Sequence, residues 1–486
     1  MENLNPKRDG FTSKFGIIAA AAGSAIGLGN IWKFPYIVGI NGGAAFILIY
    51  LVCIALIGAP VMLSEFLIGR RAQKNAVGSF KKLAPNTPWF LTGWMGLGAA
   101  FMILSFYGVV AGWTFFYVVK MIFGAFKDMS PDAIGGMFGN FISGTNDAGT
   151  FGEWWHPIMY QVAFMALTAG VILGGVKNGI EKYSKILMPM LLVIIIILDI
   201  KAISLKGSSA GVEFLFKPEW GALKLSSVLD ALGHAFFSLS LGMGTMITYG
   251  SYIGKKENLG VTSIQVTIAD TLIALLAGLA IFPAVFAFGI EPGVGPGLVF
   301  VTLPNVFNAM GNIGQLFGIM FFVLLAVAAL TSSISILEVV VAYLSEEMNL
   351  DRKKATIIST IIITFMGILC SLSLGPFTQT FPILELSEAE GFARFFTQYG
   401  FFDALDKISA NFLLPIGGLM ISVFVGWKMK NEDVKEELSN NGVLRIGYFV
   451  VFDFLCKFVA PLGIIFVFLY NLGVVKAVFT FFGWEI

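Results

Sequence analysis

The chain has 486 residues, of which 57% are apolar and only 13% charged, and its net charge is +1. A soluble domain carries roughly 25% charge and could not hide this much apolar surface, so most of the chain has lipid as its solvent. The balanced charge gives no bulk attraction to nucleic acid, and Cys53, Cys370 and Cys456 lie in apolar runs, where they read as small core residues and not as a disulfide framework.

The N-terminal stretch MENLNPKRDG is polar and lacks the order of a secretory signal, so the first apolar run is expected to stay in the mature protein. A helix needs about 20 apolar residues to cross the hydrocarbon core. Such runs fall near 12–40, 44–70, 88–124, 157–175, 180–202, 227–254, 258–289, 312–346, 354–374, 400–428 and 443–473. They predict an all-α, polytopic membrane protein with about eleven transmembrane helices in a single domain, 1–486.

Basic residues mark alternate loops. Lys7, Arg8 and Lys14 precede span one, Arg70, Arg71, Lys74, Lys81 and Lys82 follow span two, and Lys177, Lys182 and Lys185 follow span four. Lys255 and Lys256 follow span six, Arg352, Lys353 and Lys354 follow span eight, and Lys428, Lys430, Lys435 and Arg445 follow span ten. The loops between carry Asp128, Asp132, Asp147 and Glu153, then Glu291, then Glu385, Glu388 and Glu390; only the loop after span five mixes signs. The basic side is expected to be cytoplasmic, with the N-terminus inside a cell membrane.

Two spans are interrupted. The first reads Gly23-Ser24-Ala25-Ile26-Gly27-Leu28-Gly29-Asn30, and the sixth reads Ser238-Leu239-Ser240-Leu241-Gly242-Met243-Gly244-Thr245. Glycine costs about 1 kcal/mol in a helix interior. A G-x-G flanked by Ser, Asn or Thr at mid-span suggests an unwound segment, whose freed backbone groups must line a cavity or bind an ion. Close helix packing is the plain alternative for either break alone. Their occurrence five spans apart favours inverted repeats, with helices 1–5 (about 12–202) and 6–10 (about 227–428) as the halves and helix 11 at 443–473.

The segment GSAIGLGNIWKFPYIVGINGGAAF at Gly23–Phe46 resembles the first-helix signature of the neurotransmitter:sodium symporters, which have the leucine-transporter fold. FFSLSLGMGTMITYGSY at Phe236–Tyr252, ALTSSISIL at Ala329–Leu337 and GIEKYSKILMP at Gly179–Pro189 resemble its sixth, eighth and fifth helices. The likeness runs from about Phe11 to span eleven and implies two sodium ions as cargo. The first site would use Ala25, Asn30, Ser238 and Asp270 with the substrate carboxylate, and the second Gly23, Ile26, Ala328, Thr331 and Ser332. Sodium is a hard cation, and these groups supply oxygen. A hydroxyl bonding back to its own helix is the alternative role for Thr331 and Ser332.

Several relatives have Asn at position 270; this chain has Asp270, and Ala274 where chloride-dependent members have serine. The expectation is that Asp270 supplies the negative charge, that chloride is not required, and that a proton can take part. The resemblance implies that Leu28 and Gly29 N–H groups with the Tyr107 hydroxyl hold a substrate carboxylate, and that Ala25, Phe237 and Ser238 carbonyls with Ser240 hold its ammonium. Amine carriers have aspartate in place of Gly27, which would repel a carboxylate by about 4 kcal/mol at 4 Å and an effective dielectric of 20. The substrate is therefore expected to be an amino acid, and the apolar pocket of Ile103, Phe237, Met243 and Ile336 points to hydrophobic and aromatic ones.

By the same resemblance, Lys33 and Asp406 form an outer gate with Tyr107 and Phe237 as an aromatic lid, and Arg8 and Glu346 form an inner gate with Phe11 and Tyr252. Gly179 to Pro189 would let span five unwind, or kink it at the proline. No G-x-x-x-x-G-K-[ST] occurs, and His156 and His234 sit in no hydrolase motif, so the sequence argues against an enzyme. A non-transporting amino-acid sensor and a carrier of another small zwitterion remain open, as does the oligomeric state.

Overall fold

A computed structural model describes residues 10–145, 152–290, 295–376, 400–471 and 474. No β-strand occurs among them, and the fold is all-α. In chain order the helices are α1 (Lys14–Ala25), α2 (Gly29–Ile40), α3 (Ala44–Ala72), α4 (Phe90–Ile122), α5 (Pro131–Ser143), α6 (Trp155–Leu173) and α7 (Val176–Ser204). There follow α8 (Leu225–Ser238), α9 (Thr245–Gly250), α10 (Leu259–Ala287), α11 (Leu298–Ala309), α12 (Ile313–Glu347), α13 (Arg352–Ser373), α14 (Phe401–Lys428), α15 (Asn431–Leu438) and α16 (Phe449–Tyr470).

Among the described residues, 9 helices are long and apolar enough to cross a membrane, and 10 if the pair α1 and α2, bent by 50°, counts as one. The remaining expected span, the sixth, consists of the shorter helices α8 and α9 with an unwound stretch between them. Apolar side chains that a soluble protein would bury stand outward on several helices, Val193, Ile200, Ile361, Phe365, Val450 and Leu462 among them, as a lipid solvent requires.

The two breaks have different physical origins. Between α8 and α9 the backbone turns left-handed at Gly242 (φ 78°) and Gly244 (φ 77°), a conformation that glycine alone adopts without a steric penalty. Ser240 is also left-handed (φ 54°), and its hydroxyl donates to the Ser24 carbonyl at 2.9 Å, tying the second break to the first. Between α1 and α2 neither glycine has positive φ; Ile26 leaves the helix with ψ 102°, and its neighbours are glycines for want of room. A Cβ on Gly27 would meet the Ser332 hydroxyl and lie 2.8 Å from the Tyr107 hydroxyl; one on Gly29 would lie 3.2 Å from the Phe237 ring.

Candidate functional site

Asp270, fully buried on α10, faces the first break. Its carboxylate accepts from Asn30 Nδ2 at 2.7 Å and from Ser238 Oγ at 3.0 Å to both oxygens; Asn30 Nδ2 also reaches the Asp270 carbonyl at 3.1 Å. The other end of the Asn30 amide accepts the Gly27 N–H at 3.0 Å, capping the break. Asn30, Ser238 and Asp270 are therefore brought together, and Ala25 is buried at the end of α1, on the same broken span as Asn30.

The second predicted set also converges. Ser332 Oγ lies 3.3, 3.1 and 3.2 Å from the carbonyl oxygens of Gly23, Ser24 and Ile26. Thr331 Oγ1 lies 3.0 Å from the Ala328 carbonyl and 3.2 Å from that of Val327. Thr331 thus makes the back-bond to its own helix, while Ser332 crosses from α12 to α1. No group of three or more His, Cys, Asp and Glu suited to a metal occurs among the described residues; the two sets gather hydroxyl, carbonyl and carboxylate oxygens, the kind of donor a hard cation takes.

The Leu28 N–H donates to the Tyr107 hydroxyl at 3.1 Å. Above this bond opens a cavity of about 130 Å³, lined by Leu28, Trp32, Lys33, Tyr107, Phe237 and Asp406 among others. Ile103, Met243 and Ile336 are buried, each on a different element, and are not among the residues that line it. Lys33 Nζ sits 4.6 Å over the Phe237 ring, so the predicted outer-gate cation rests on the aromatic lid. Asp406 lines the same cavity, but no ion pair joins it to Lys33 among the described residues.

On the opposite side, the Phe11 N–H donates to the Tyr252 carbonyl at 3.2 Å, and its ring meets those of Tyr249 and Tyr252 edge-on at 5.6 and 6.1 Å. Arg8 lies outside the described residues. Glu346 accepts from Asn75 N at 2.8 Å and Nδ2 at 3.1 Å.

Four acids missed at the sequence level join this machinery. Glu338, fully buried on α12, accepts the Tyr252 hydroxyl at 2.7 Å and is clamped by Arg352 at 2.6 and 2.9 Å. Glu181 on α7 accepts from Thr12 N, Thr12 Oγ1 and Ser13 Oγ at 2.8, 2.9 and 2.9 Å, pinning the start of α1, and pairs with Lys185 at 2.5 Å. Glu65, buried on α3, accepts the Gly242 N–H at 2.7 Å inside the second break. Glu437 on α15 binds Arg70 and Lys255. For Glu65 and Glu338 a signal existed, an acid within an apolar run, which is functional by default. α7 opens with a wide π turn over Val176–Glu181 and carries Pro189 within the helix.

The family model described as the sodium:neurotransmitter symporter family matches residues 8–127 and 145–484. An uncharacterised sodium-dependent transporter of Bacillus subtilis is 41% identical, over 96% of this chain and 98% of that protein. A second, from Haemophilus influenzae, is 34% identical over 97% of this chain and 100% of that protein. The crystal structure of MhsT in complex with L-phenylalanine matches with a TM-score of 0.83 and 45% identity, covering 95% of this chain and 99% of that one.

Proposed function

The chain belongs to the sodium:neurotransmitter symporter family, a family of secondary transporters and not of enzymes, and from that premise we propose that it imports hydrophobic and aromatic L-amino acids by sodium-coupled symport with alternating access. The membrane protein is a sodium-dependent transporter; the choice of substrate and the residues that serve it are our reading.

One observation carries the reading: a break in an apolar span whose carbonyls, at Gly23, Ser24 and Ile26, converge within 3.3 Å on the hydroxyl of a second helix, next to a buried carboxylate held by Asn30 and Ser238. Gly23, Ile26, Ala328, Thr331 and Ser332 would hold one sodium ion, and Ala25, Asn30, Ser238 and Asp270 the other. At the site with Asp270 the carboxylate supplies the charge, so chloride is not needed. Leu28, Gly29 and Tyr107 would take the substrate carboxylate, and Ala25, Phe237, Ser238 and Ser240 its ammonium. Gly27 brings no acid of its own, unlike the aspartate of an amine carrier, so nothing there repels a substrate carboxylate. Ile103, Phe237, Met243 and Ile336 would receive an apolar side chain, and the L-phenylalanine bound to MhsT supports this choice. The two breaks, at the first and sixth spans, support two inverted five-helix halves, and the basic loops support a cytoplasmic N-terminus.

The test is uptake into proteoliposomes driven by an inward sodium gradient, with the common amino acids as competitors. Tryptophan, tyrosine, phenylalanine and leucine should compete and glycine should not. Preference for glycine or GABA sinks the pocket assignment, and sodium-dependent binding without accumulation makes the protein a sensor.

A further inference from the structure

The turn Ser251–Lys255, which follows α9, is gripped by carboxylates of two other elements. Tyr252 OH donates to Glu338 at 2.7 Å, and Lys255 Nζ donates to both oxygens of Glu437 at 2.9 and 2.8 Å. Each carboxylate also binds an arginine, Glu338 that of Arg352 and Glu437 that of Arg70, whose Nε lies 2.6 Å from Glu437 Oε1.

The surroundings of the two grips differ. Arg70 stands near the inner end of α3; its side chain is 1% exposed and that of Glu437 5%. Arg70 also donates to the Glu257 carbonyl at 2.6 Å and to the Glu437 carbonyl, and Asn440 Nδ2 reaches the same Glu257 carbonyl at 3.1 Å. Arg71 adds bonds to Asp433 at 2.6 Å and Glu436 at 3.1 Å, while Val434 and Leu438 are buried beneath. Removing one partner of a buried pair leaves an uncompensated charge, so this knot is costly to part.

α3 and α9 meet backbone to backbone. A Cβ on Gly69 would collide with the Ile247 carbonyl, and one on Gly250 would lie 2.7 Å from the Phe66 carbonyl. On the other side the Tyr252 hydroxyl of the turn donates to the buried Glu338.

We propose that Glu437 is a positioning residue for transport: with Arg70 and Lys255 it rivets the inner half of span six to the inner end of span two, so that the two move together when the cytoplasmic side opens. The inference rests on the transport reading. α15, the link between spans ten and eleven, is on this account part of the moving body and not a passive connection.

Lys255 is 57% exposed, so Lys255→Met should fold, whereas Glu437→Gln strands a buried Arg70. The measurement is hydrogen–deuterium exchange on the purified full chain, with sodium and with potassium in its place. In potassium, Lys255→Met should raise exchange in residues 245–257 by up to about five-fold, the ceiling for a partly exposed pair, while 59–72 and 431–438 stay at the wild-type level. Lys255→Arg should restore the wild-type pattern, and Glu437→Gln should loosen 431–438 as well as 245–257. Wild-type exchange in 245–257 of Lys255→Met overturns the proposal. So does a uniform rise across 59–72, 245–257 and 431–438 with a lower melting temperature, which is what a merely structural bond gives. Sodium-driven uptake of L-phenylalanine by the wild type is measured alongside; its failure sinks the transport reading, and the exchange pattern judges the rivet separately.

Discussion

The hydroxyl of Ser332 lies 3.2 Å from the carbonyl oxygen of Ile26, the residue at which the first span leaves its helix. That contact joins the eighth span to the first at the point where backbone oxygens are freed. If sodium sits here, the serine oxygen is a ligand. Ser332→Ala should then weaken sodium activation of uptake by about ten-fold or more, since a hydrogen-bonding group facing a charge contributes about 1.5–3 kcal/mol. Thr331→Ala should cost less, because the Thr331 hydroxyl is engaged with its own helix and not with α1. Sodium titrations of uptake at fixed L-phenylalanine check both.

Asp270 makes a charge argument testable. Its carboxylate is fully buried and held by Asn30 and Ser238, with no basic side chain bonded to it among the described residues. A bound cation would balance it. Replacing chloride with gluconate should leave wild-type uptake unchanged. Asp270→Asn keeps the shape and removes the charge, and should lower sodium affinity at least about ten-fold, given roughly 4 kcal/mol between unit charges 4 Å apart at an effective dielectric of 20. A wild type that stops transporting without chloride refutes the assignment.

The span pattern was legible because lipid makes each helix a long apolar run, and the breaks because glycine pairs interrupt such runs. The reason for the first pair was not legible: Gly27 and Gly29 yield room to Ser332, Tyr107 and Phe237, side chains that arrive from remote helices. Asp270 stood out as an acid in a span. Glu338 carries the same signal, an acid in a span, and was missed; its partners Tyr252 and Arg352 come from different helix ends, and sequence spacing cannot align them. Lys33 was paired with Asp406 by resemblance; the structure sets it over Phe237, a choice that depends on side-chain direction alone. Glu437 lies in a charged stretch, NEDVKEEL, that reads as a solvated loop, although its side chain is 5% exposed.

Gly27 tests the steric reading. An alanine methyl would press on the Ser332 hydroxyl and stand 2.8 Å from that of Tyr107, so both groups must shift. Overpacking of this kind costs about 1–3 kcal/mol. Gly27→Ala should therefore raise the KM for amino acids and weaken sodium activation together, because the two hydroxyls belong to the proposed substrate and sodium sites. Gly27→Asp should abolish carboxylate-bearing substrates altogether. Radiolabelled phenylalanine uptake across a sodium series separates the two effects; an alanine variant with both constants unchanged would show that the break has slack.

The inner side offers the last test. Tyr252→Phe removes the 2.7 Å hydroxyl bond to Glu338 and leaves the Arg352–Glu338 pair and the ring contact with Phe11 in place. The fold should survive, since Glu338 keeps its cation. Loss of a hydrogen bond to a charged acceptor is worth about 1.5 kcal/mol or more, which is about ten-fold in a two-state equilibrium. The shift should favour the state open to the cytoplasm. If the proposed sodium between α1 and α12 stabilises the closed inner side, then by linkage the variant binds sodium more weakly, although Tyr252 belongs to neither proposed sodium site. Phe11→Ala, which removes the rings' edge contacts from the same turn, should act in the same direction. Equilibrium sodium binding and cysteine labelling of the inner pathway should change together; weaker binding with no gain in labelling would place the effect on the sodium site itself and not on the gate.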